Sequence, residues 1–399
     1  MSGPRLGDYF DNRQEPGRPG LPVMSVTMND SLVFRDDLDR RTESALRPDQ
    51  HLLVRKGDIA YNMMRMWQGA CGLAQADGIV SPAYVVLAPK PGIDSRFAYH
   101  WFKSARMIHL FWAYSHGLTE DRLRLYFDAF CEIPGAPPPL EQQIRTVVVL
   151  DAWDQAIEQT ERLITAKRRR KSALSQKLFR NLPKRPLLEA ADVWFSGVDK
   201  KTRADELPVL LCNYMDVFHN SRITSRIDFM KATASRRQIA GNSLRKHDVV
   251  FTKDSETSEE IAEPALVDED IPNLVCGYHL AVARPRDGVG HGPFIAQAMR
   301  QQAVRWQFSR LANGVVRFGL TLDAIEQAEL FLPSLPIQER IAAVLDAEDL
   351  MIEGLVQRAE TLRAQQRGLM QAILTGERQL DGRFDDFVPA IRAAAGGVA

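Results

Sequence analysis

LEQQIRTVVVLDAWDQAIEQTERLITAKRRRKSALSQKLF occupies residues 140–179, directly after Pro139, and a diverged copy of it returns near the C-terminus. From Leu150 onward the copy lies 195 residues later: Leu150, Asp151 and Ala152 become Leu345, Asp346 and Ala347, and Asp154 becomes Asp349. Ile157 and Glu158 become Ile352 and Glu353; Leu174 and Gln176 become Leu369 and Gln371. Steps of three and four place Leu150, Trp153, Ile157, Thr160, Ile164, Lys167, Lys171, Leu174 and Leu178 on one helical stripe. The copy aligns Leu345, Glu348, Ile352, Leu355, Ala359, Leu362, Gln366, Leu369 and Ile373 in the same way. A mostly apolar seam sustained over about four heptads is the pattern of a coiled coil. Proline clusters (Pro134, Pro137, Pro138 and Pro139; Pro333 and Pro336) stand just before each copy, where a helix start tolerates them.

Outward from these two helices, the chain reads as a tandem duplication. Residues 1–136 carry strand-like runs (LPVMSVTM, DIAYNMM, AYVVLAP), then a helix from Ser95 to about Tyr114. Residues 137–182 hold the first long helix. Residues 183–334 repeat the plan with VLLCNYMDVF, DVVFTKD and YHLAVARP as strands, a helix from Pro293 to about Leu311, and a turn at Asn313-Gly314. Residues 335–379 hold the second long helix, and 380–399 read as a flexible tail. Arg55-Lys56-Gly57-Asp58 before a strand answers Arg245-Lys246-His247-Asp248 before another. The fold class is α+β: two mixed globular domains in tandem, each followed by a long helix, the helices pairing as an antiparallel coiled coil with pseudo-two-fold symmetry. Each helix of about 40 residues would reach roughly 60 Å, so the pair has the form of a ruler. Charge favours mutual pairing. Residues 139–180 carry nine Lys and Arg against five Asp and Glu, a net of 9 − 5 = +4, and residues 336–378 carry five against seven, 5 − 7 = −2.

Composition narrows the classes. With 45% hydrophobic and 26% charged residues in a chain of 399, two or more ordinary globular domains are affordable. No apolar run approaches the ~18 residues of a membrane span and the N-terminus lacks a signal-peptide core, so a cytoplasmic location is expected. Cys71, Cys131, Cys212 and Cys276 form no C-x-x-C pair and read as buried free thiols. The net charge of zero leaves any nucleic-acid face to local charge placement.

The strings PPLEQQI and LPIQERIAAVLDAEDLMIE, each leading into a long helix, resemble the two repeated spacer segments of the specificity subunit of type I restriction-modification systems. RKGDIAYNMMRMWQGACGLAQADGIVSPAYVVLAP, and KHDVVFTKDSETSEEIAEPALV followed by GYHLAVARP, are similar to that family's target recognition domains. The likeness runs from Leu6 to Leu380, with an extra residue near Ile144 to Val149 that unsettles the register at the start of the first spacer. The resemblance implies a DNA-reading subunit with no catalysis of its own. Each domain would read one half of a bipartite asymmetric target in double-stranded DNA. The spacers would set the gap and dock two methyltransferase (modification) subunits, with an endonuclease/translocase (restriction) subunit able to join. It implies no cofactor on this chain; S-adenosylmethionine, ATP and Mg would sit on the partner subunits.

Independently of the resemblance, half-sites read from one DNA face lie ~34 Å apart, within reach of such a ruler. Catalytic strings are missing: no G-x-x-x-x-G-K-[ST], no H-E-x-x-H, no G-x-S-x-G, and no N-P-P-[FYW]. Gly288, Gly290 and Gly292 approach a phosphate loop, but Pro293 ends it, and the eight histidines show no metal spacing. The chain is therefore expected to be no enzyme and to hold no metal. Base-edge readers are polar side chains on loops beside a sheet. In the first domain the candidates are Asn62, Arg65, Trp67 and Gln68, with Arg122 and Arg124; Trp67 reads equally as a core aromatic. In the second they are Arg222, Arg236, Arg237, Lys253, Ser255, Thr257, Asn313 and Arg317. The run Lys167 to Lys171 is open to three readings: phosphate contact, a solvated helix face, or an anchor for the methyltransferase. Alternatives to a restriction complex are an orphan methylation or related phage-defence system and, in another class, a structural coiled-coil dimeriser.

Overall fold

The computed structural model describes residues 3–28, 32–37, 46–374, 377, 378 and 380. The tail expected over 380–399 lies, Leu380 excepted, outside the described residues. Two compact units emerge, and their boundary cuts both long helices. Unit 1 comprises Met1–Glu161 with Gln357–Ala399, and unit 2 comprises Arg162–Val356. The helices themselves are Leu140–Phe179 and Leu335–Leu374, 40 residues each, so the 195-residue step holds from their first turn. No residue is inserted near Ile144 to Val149. Gln143 and Gln338, one step apart and each 1% exposed, make the same three bonds. Gln143 accepts from Asp94 N (2.8 Å) and donates to Gly92 O (3.0 Å) and Pro138 O (2.8 Å). Gln338 accepts from His291 N (3.0 Å) and donates to Val289 O (2.9 Å) and Pro333 O (2.8 Å).

Every residue of both predicted stripes is buried or half-buried. In unit 1 the first helix meets the second in opposite directions: Asp154 accepts from Gln366 Nε2 at 2.6 Å, and Glu161, further along, pairs with the earlier Arg363. In unit 2 the C-terminal half of the first helix meets the N-terminal half of the second, through Arg170 with Glu348 (2.5 Å) and Lys171 with Asp349. Three polar seam positions, Lys171, Glu348 and Gln366, are thus sites of helix-to-helix ion pairs and hydrogen bonds, which fix register where apolar contacts alone would allow sliding.

Unit 1 holds an antiparallel sheet of β1 (Phe10–Asn12), β2 (Ile59–Asn62), β3 (Cys71–Leu73) and β4 (Tyr84–Pro89), in the order β1-β4-β2-β3. In unit 2, β5 (Ala191–Phe195), β6 (Arg222–Ile223), β7 (Val249–Thr252), β8 (Pro264–Val267) and β9 (Leu280–Pro285) are ordered β5-β9-β7-β8-β6. Four of these repeat the unit 1 order, and only β6 is added, parallel to β8. A second sheet, Leu207–Cys212 with Met230–Ala234 and Leu274–Cys276, backs unit 2. The strand expected over VLLCNYMDVF stops at Cys212, because Asn213 and Asp216 form a capping box that starts a helix at Tyr214.

Each expected helix beyond the last strand is two. In unit 1, α1 (Ser95–Phe102) ends at Lys103, and Ser104 caps α2 (Ala105–Ala113) by accepting from Met107 N at 3.3 Å. In unit 2, α3 (Gly292–Met299) and α4 (Gln302–Leu311) break at Gln301, whose backbone is extended. Their apolar faces close the cores. In unit 1, Phe10, Phe102, Phe111 and Phe130 meet ring to ring, Phe102 and Phe111 at 5.4 Å. In unit 2, Phe179 of the long helix stacks on Phe294 at 5.4 Å, tying the long helix to α3 within that unit.

The turn before β2 and β7 is built alike. Asp58 accepts from Arg55 N and Asp248 from Arg245 N, both at 2.8 Å. Each carboxylate, 2% and 1% exposed, then holds an arginine by two bonds: Arg13 at 2.7 and 3.1 Å, Arg284 at 2.7 and 2.8 Å. The third residue of the turn is left-handed in both, Gly57 at φ +92° and His247 at φ +72°. Among the described residues, no helix is long and apolar enough to cross a membrane.

Candidate nucleic-acid interface

In unit 1, β2 runs into a tight loop. Asn62, half-buried, accepts from Met64 N at 3.0 Å through its side chain and from Arg65 N at 3.0 Å through its backbone. Met66, fully buried, pins the loop, and Gly69 at φ +84° turns it back. Lys103 fastens that end by donating to Gly69 O at 2.7 Å. Arg65 and Gln68 are left on the surface, 3.4 Å apart. Trp67 is half-buried with its indole N–H committed to Met64 O at 2.9 Å, so it is neither a full core aromatic nor a free stacking platform. A second loop joins the first through Leu125 N and Met63 O, at 2.9 Å, and is closed by His116 and Arg124 exchanging backbone bonds. Arg122 and Arg124 are exposed on it. The structure therefore brings together the six unit 1 candidates.

Unit 2 repeats the arrangement. After β7, Asp254–Ser255 pairs antiparallel with Phe318–Gly319, and Leu320 N donates to Lys253 O at 2.9 Å. Asn313 and Gly319 exchange backbone bonds, closing the counterpart of the 116–124 loop. This gathers Lys253, Ser255, Thr257, Asn313 and Arg317. Thr257, Asn313 and Arg317 are exposed; Lys253 is half-buried, with its ammonium 5.4 Å from the centre of the Phe195 ring. Asp254, bound by His279 Nδ1 at 2.8 Å, also lies 3.5 Å from the Arg317 guanidinium.

Four candidates stand outside these groups or are not available to a ligand. Ser255 is 4% exposed, donating to Glu260 at 2.8 Å and accepting from Tyr214 at 3.2 Å, so its hydroxyl braces the loop. Burial pushes the Tyr214 phenol pKa up, in keeping with a donor that keeps its proton. Arg222 sits between Asp268 (3.0 Å) and Asp346 (3.3 Å) with 13% of its side chain exposed. Burial pulls its pKa down, the two carboxylates outweigh that, and the guanidinium is an ion-pair anchor onto the second long helix. Arg236 and Arg237 are exposed on the first turn of a helix, Arg236–Asn242, that packs by the second sheet.

Sequence reasoning passed over two features. Apolar residues stand at the tips of both closing loops: Leu118 on one, Val315 and Val316 on the other. The signal was a shared His-Gly-Leu and Asn-Gly-Val at matching places. His100, Asp151 and Asp154 also converge in unit 1, their ligand atoms within 4.8 Å of one another, although linear spacing gave no hint. One oxygen of each carboxylate already has a partner, Asp151 in Arg96 at 3.8 Å and Asp154 in Gln366 at 2.6 Å. Of the basic run, Arg170 and Lys171 are consumed in helix pairing, while Arg168 and Arg169 are exposed. Arg168 lines an open cleft of about 760 Å³ in unit 2 with Arg180, Arg300 and Gln301. Cys71, Cys212 and Cys276 are buried and Cys131 half-buried, and burial pushes the Cys71 thiol up to about 11.

Solved structures with this fold are specificity subunits of type I restriction-modification systems. The S subunit of such a system from M. genitalium matches with a TM-score of 0.56 at 14% identity, over 92% of this chain and 94% of that one. A chain from a type I system, solved in a study of complex assembly and conformational transition, matches at 0.54 and 16% identity, over 93% and 95%. No family model matches the sequence, and no curated protein matches it either.

Proposed function

We propose that the chain is the non-catalytic DNA sequence-specificity subunit of a type I restriction-modification complex. The observation that carries this reading is the doubled loop pair: one scaffold, built twice, presents Arg65, Gln68, Arg122 and Arg124 in unit 1 and Lys253, Thr257, Asn313 and Arg317 in unit 2. Arginine pairs bidentately with guanine and Asn or Gln with adenine in the major groove, and two different loop sets suit two different half-sites. Hydrogen bonds behind the loops hold the loop backbones in place before DNA arrives, which lowers the cost of binding. The long helices would hold two methyltransferase subunits, which bring S-adenosylmethionine; ATP and Mg belong to a restriction subunit. With the inner seam saturated by the chain's own pairs, docking falls to outward residues such as Arg168 and Arg169. That saturation also speaks against a bare dimeriser, whose seam must stay open for a second copy.

The test is a genome-wide map of methylated adenines with and without the gene. One two-part motif should vanish with it, and an unchanged map overturns the reading. The purified chain alone should methylate nothing. Replacing residues 185–333 by the matching domain of a related subunit should change one half of the motif; change in both halves overturns the modular assignment.

A further inference from the structure

We infer that the apolar tips of the two closing loops, Leu118 in unit 1 and Val315 with Val316 in unit 2, press against the apolar groups on base edges in the groove, the thymine methyl above all, and contribute to specificity. The inference rests on the DNA-reading function above and adds apolar contacts to its hydrogen-bonding ones.

The three side chains are among the most exposed large apolar groups of the described chain, at 99%, 92% and 88%. A single exposed leucine needs no explanation. A matched pair of bare tips at the same place in a duplicated fold does. Each loop opens with a glycine that tolerates no side chain: a Cβ on Gly117 would come within 2.6 Å of Arg122 O, and one on Gly314, at φ +143°, would collide with Arg317 O. Each loop is then closed by a two-way backbone bridge, His116 with Arg124 and Asn313 with Gly319. The backbone is built to hold the tip outward.

The occupant follows from what adjoins the tips. The first loop is bonded to the Asn62–Gly69 reader loop through Leu125 N and Met63 O, and the second pairs with Asp254–Ser255. Charge along the loops does not favour phosphate: Glu120 and Asp121 offset Arg122 and Arg124 in unit 1, and in unit 2 Asp254, Glu256, Glu259 and Glu260 outnumber Lys253 and Arg317, a net of 2 − 4 = −2. Loops so charged gain little from phosphate attraction, so their affinity must come from close contact with bases. Apolar side chains supply that contact, as with the thymine methyl group in the major groove.

The experiment uses the full chain in the complex purified from its host through a tag, with duplex DNA carrying the mapped motif and a scrambled control. Leu118→Ser and the double variant Val315→Ser/Val316→Ser should each weaken binding to the motif about 10-fold or more, the scale of one large apolar side chain losing its buried contact. Binding to scrambled DNA should not change. The slope of affinity against salt should also stay as in the wild type, because no phosphate contact is lost. Thermal melting of the tip variants should match the wild type, since the side chains touch nothing in the fold. Unchanged motif binding by both tip variants overturns the inference and leaves the function standing. Loss of the methyltransferase from the complex, with DNA binding intact once it is resupplied, also overturns it and assigns the tips to protein contact. If the wild-type complex binds no motif, function and inference fall together.

Discussion

The two units close the same carboxylate pair in different ways. In unit 2, Asp346 and Asp349 of the long helix are bridged by Gln297 Nε2 at 3.0 and 2.8 Å, with Arg222 on one carboxylate and Lys171 on the other. In unit 1, Asp151 and Asp154 stand one repeat earlier. There His100 Nε2 stays 3.9 and 4.0 Å away, Arg96 takes the place of Arg222 from a different element, and Gln366 takes that of Lys171. The carboxylates belong to the scaffold. The groups that neutralise them have been chosen separately in each unit, so duplication preserved the demand for charge compensation and left its supply free to drift. The same division runs through the fold: strand order, buried glutamines and the Asp58/Asp248 turns are shared, while the reader loops between them differ in sequence and charge.

The strongest way to break the equivalence is at those turns. Asp58→Asn and Asp248→Asn each leave a guanidinium without its buried counter-charge. Each should cost about 3 kcal/mol, at the low end for a buried pair because Arg13 and Arg284 keep 17% and 28% of their side chains exposed. Urea denaturation of the full chain measures both. A loss below about 1 kcal/mol in one unit alone would mean that the matching geometry hides different energetics.

Next in size are the glutamines at the helix starts. Gln143→Leu and Gln338→Leu each strand one part-buried N–H, that of Asp94 or His291, and two carbonyls. The loss should be about 2 kcal/mol in either unit, read from the same curves. Equal losses would support a common design of the joint between sheet and spacer.

A third substitution sharpens the comparison in the stabilising direction. His247 holds the left-handed conformation that Gly57 adopts at the matching place. Relief of that strain, about 1–2 kcal/mol, offset by glycine's larger entropy loss of about 0.5–1 kcal/mol, should leave His247→Gly more stable by about 0.5 kcal/mol. The converse, Gly57→His, should lose a similar amount; a gain there would show that the turn of unit 1 is not the relaxed form.

Much of this scaffold was legible in the sequence. The seam was read residue by residue because period and repeat are local properties, and all stripe positions are covered. The helix register near Ile144 was not, since what fixes it is the reach of Gln143 to Gly92 and Asp94, some fifty residues away in the chain. Arg222 and Ser255 looked like surface readers for the same reason: the Asp346 and Tyr214 that claim them are distant in sequence. Arg122 and Arg317 are marked in the sequence by their hydrogen-bonding side chains, whereas the apolar tips beside them carry no such mark. His100 joins Asp151 and Asp154 only because α1 packs on the long helix within unit 1.

The smallest effect separates the units by pH. Asp94 caps α1 by accepting from Arg96 N at 2.9 Å and Phe97 N at 3.2 Å; its counterpart His291 precedes α3 with no capping bond and a buried Nδ1 that has no partner. Burial first, then the neighbouring His247, holds the His291 imidazole below its usual pKa of 6.5, against the weaker opposing pull of Glu339 and Asp346. A histidine that binds its proton less readily folded than unfolded favours the folded state above the unfolded value. Its contribution is complete above pH 6.5 and drains as pH falls towards the lower folded value. His291→Asn keeps a side chain able to cap and removes the titration. The stability of the variant relative to wild type should therefore rise between pH 7 and pH 5, with every other histidine common to both curves. Parallel curves would mean that His291 titrates in the fold as it does in the open chain, and that the missing cap in unit 2 has no consequence for its charge.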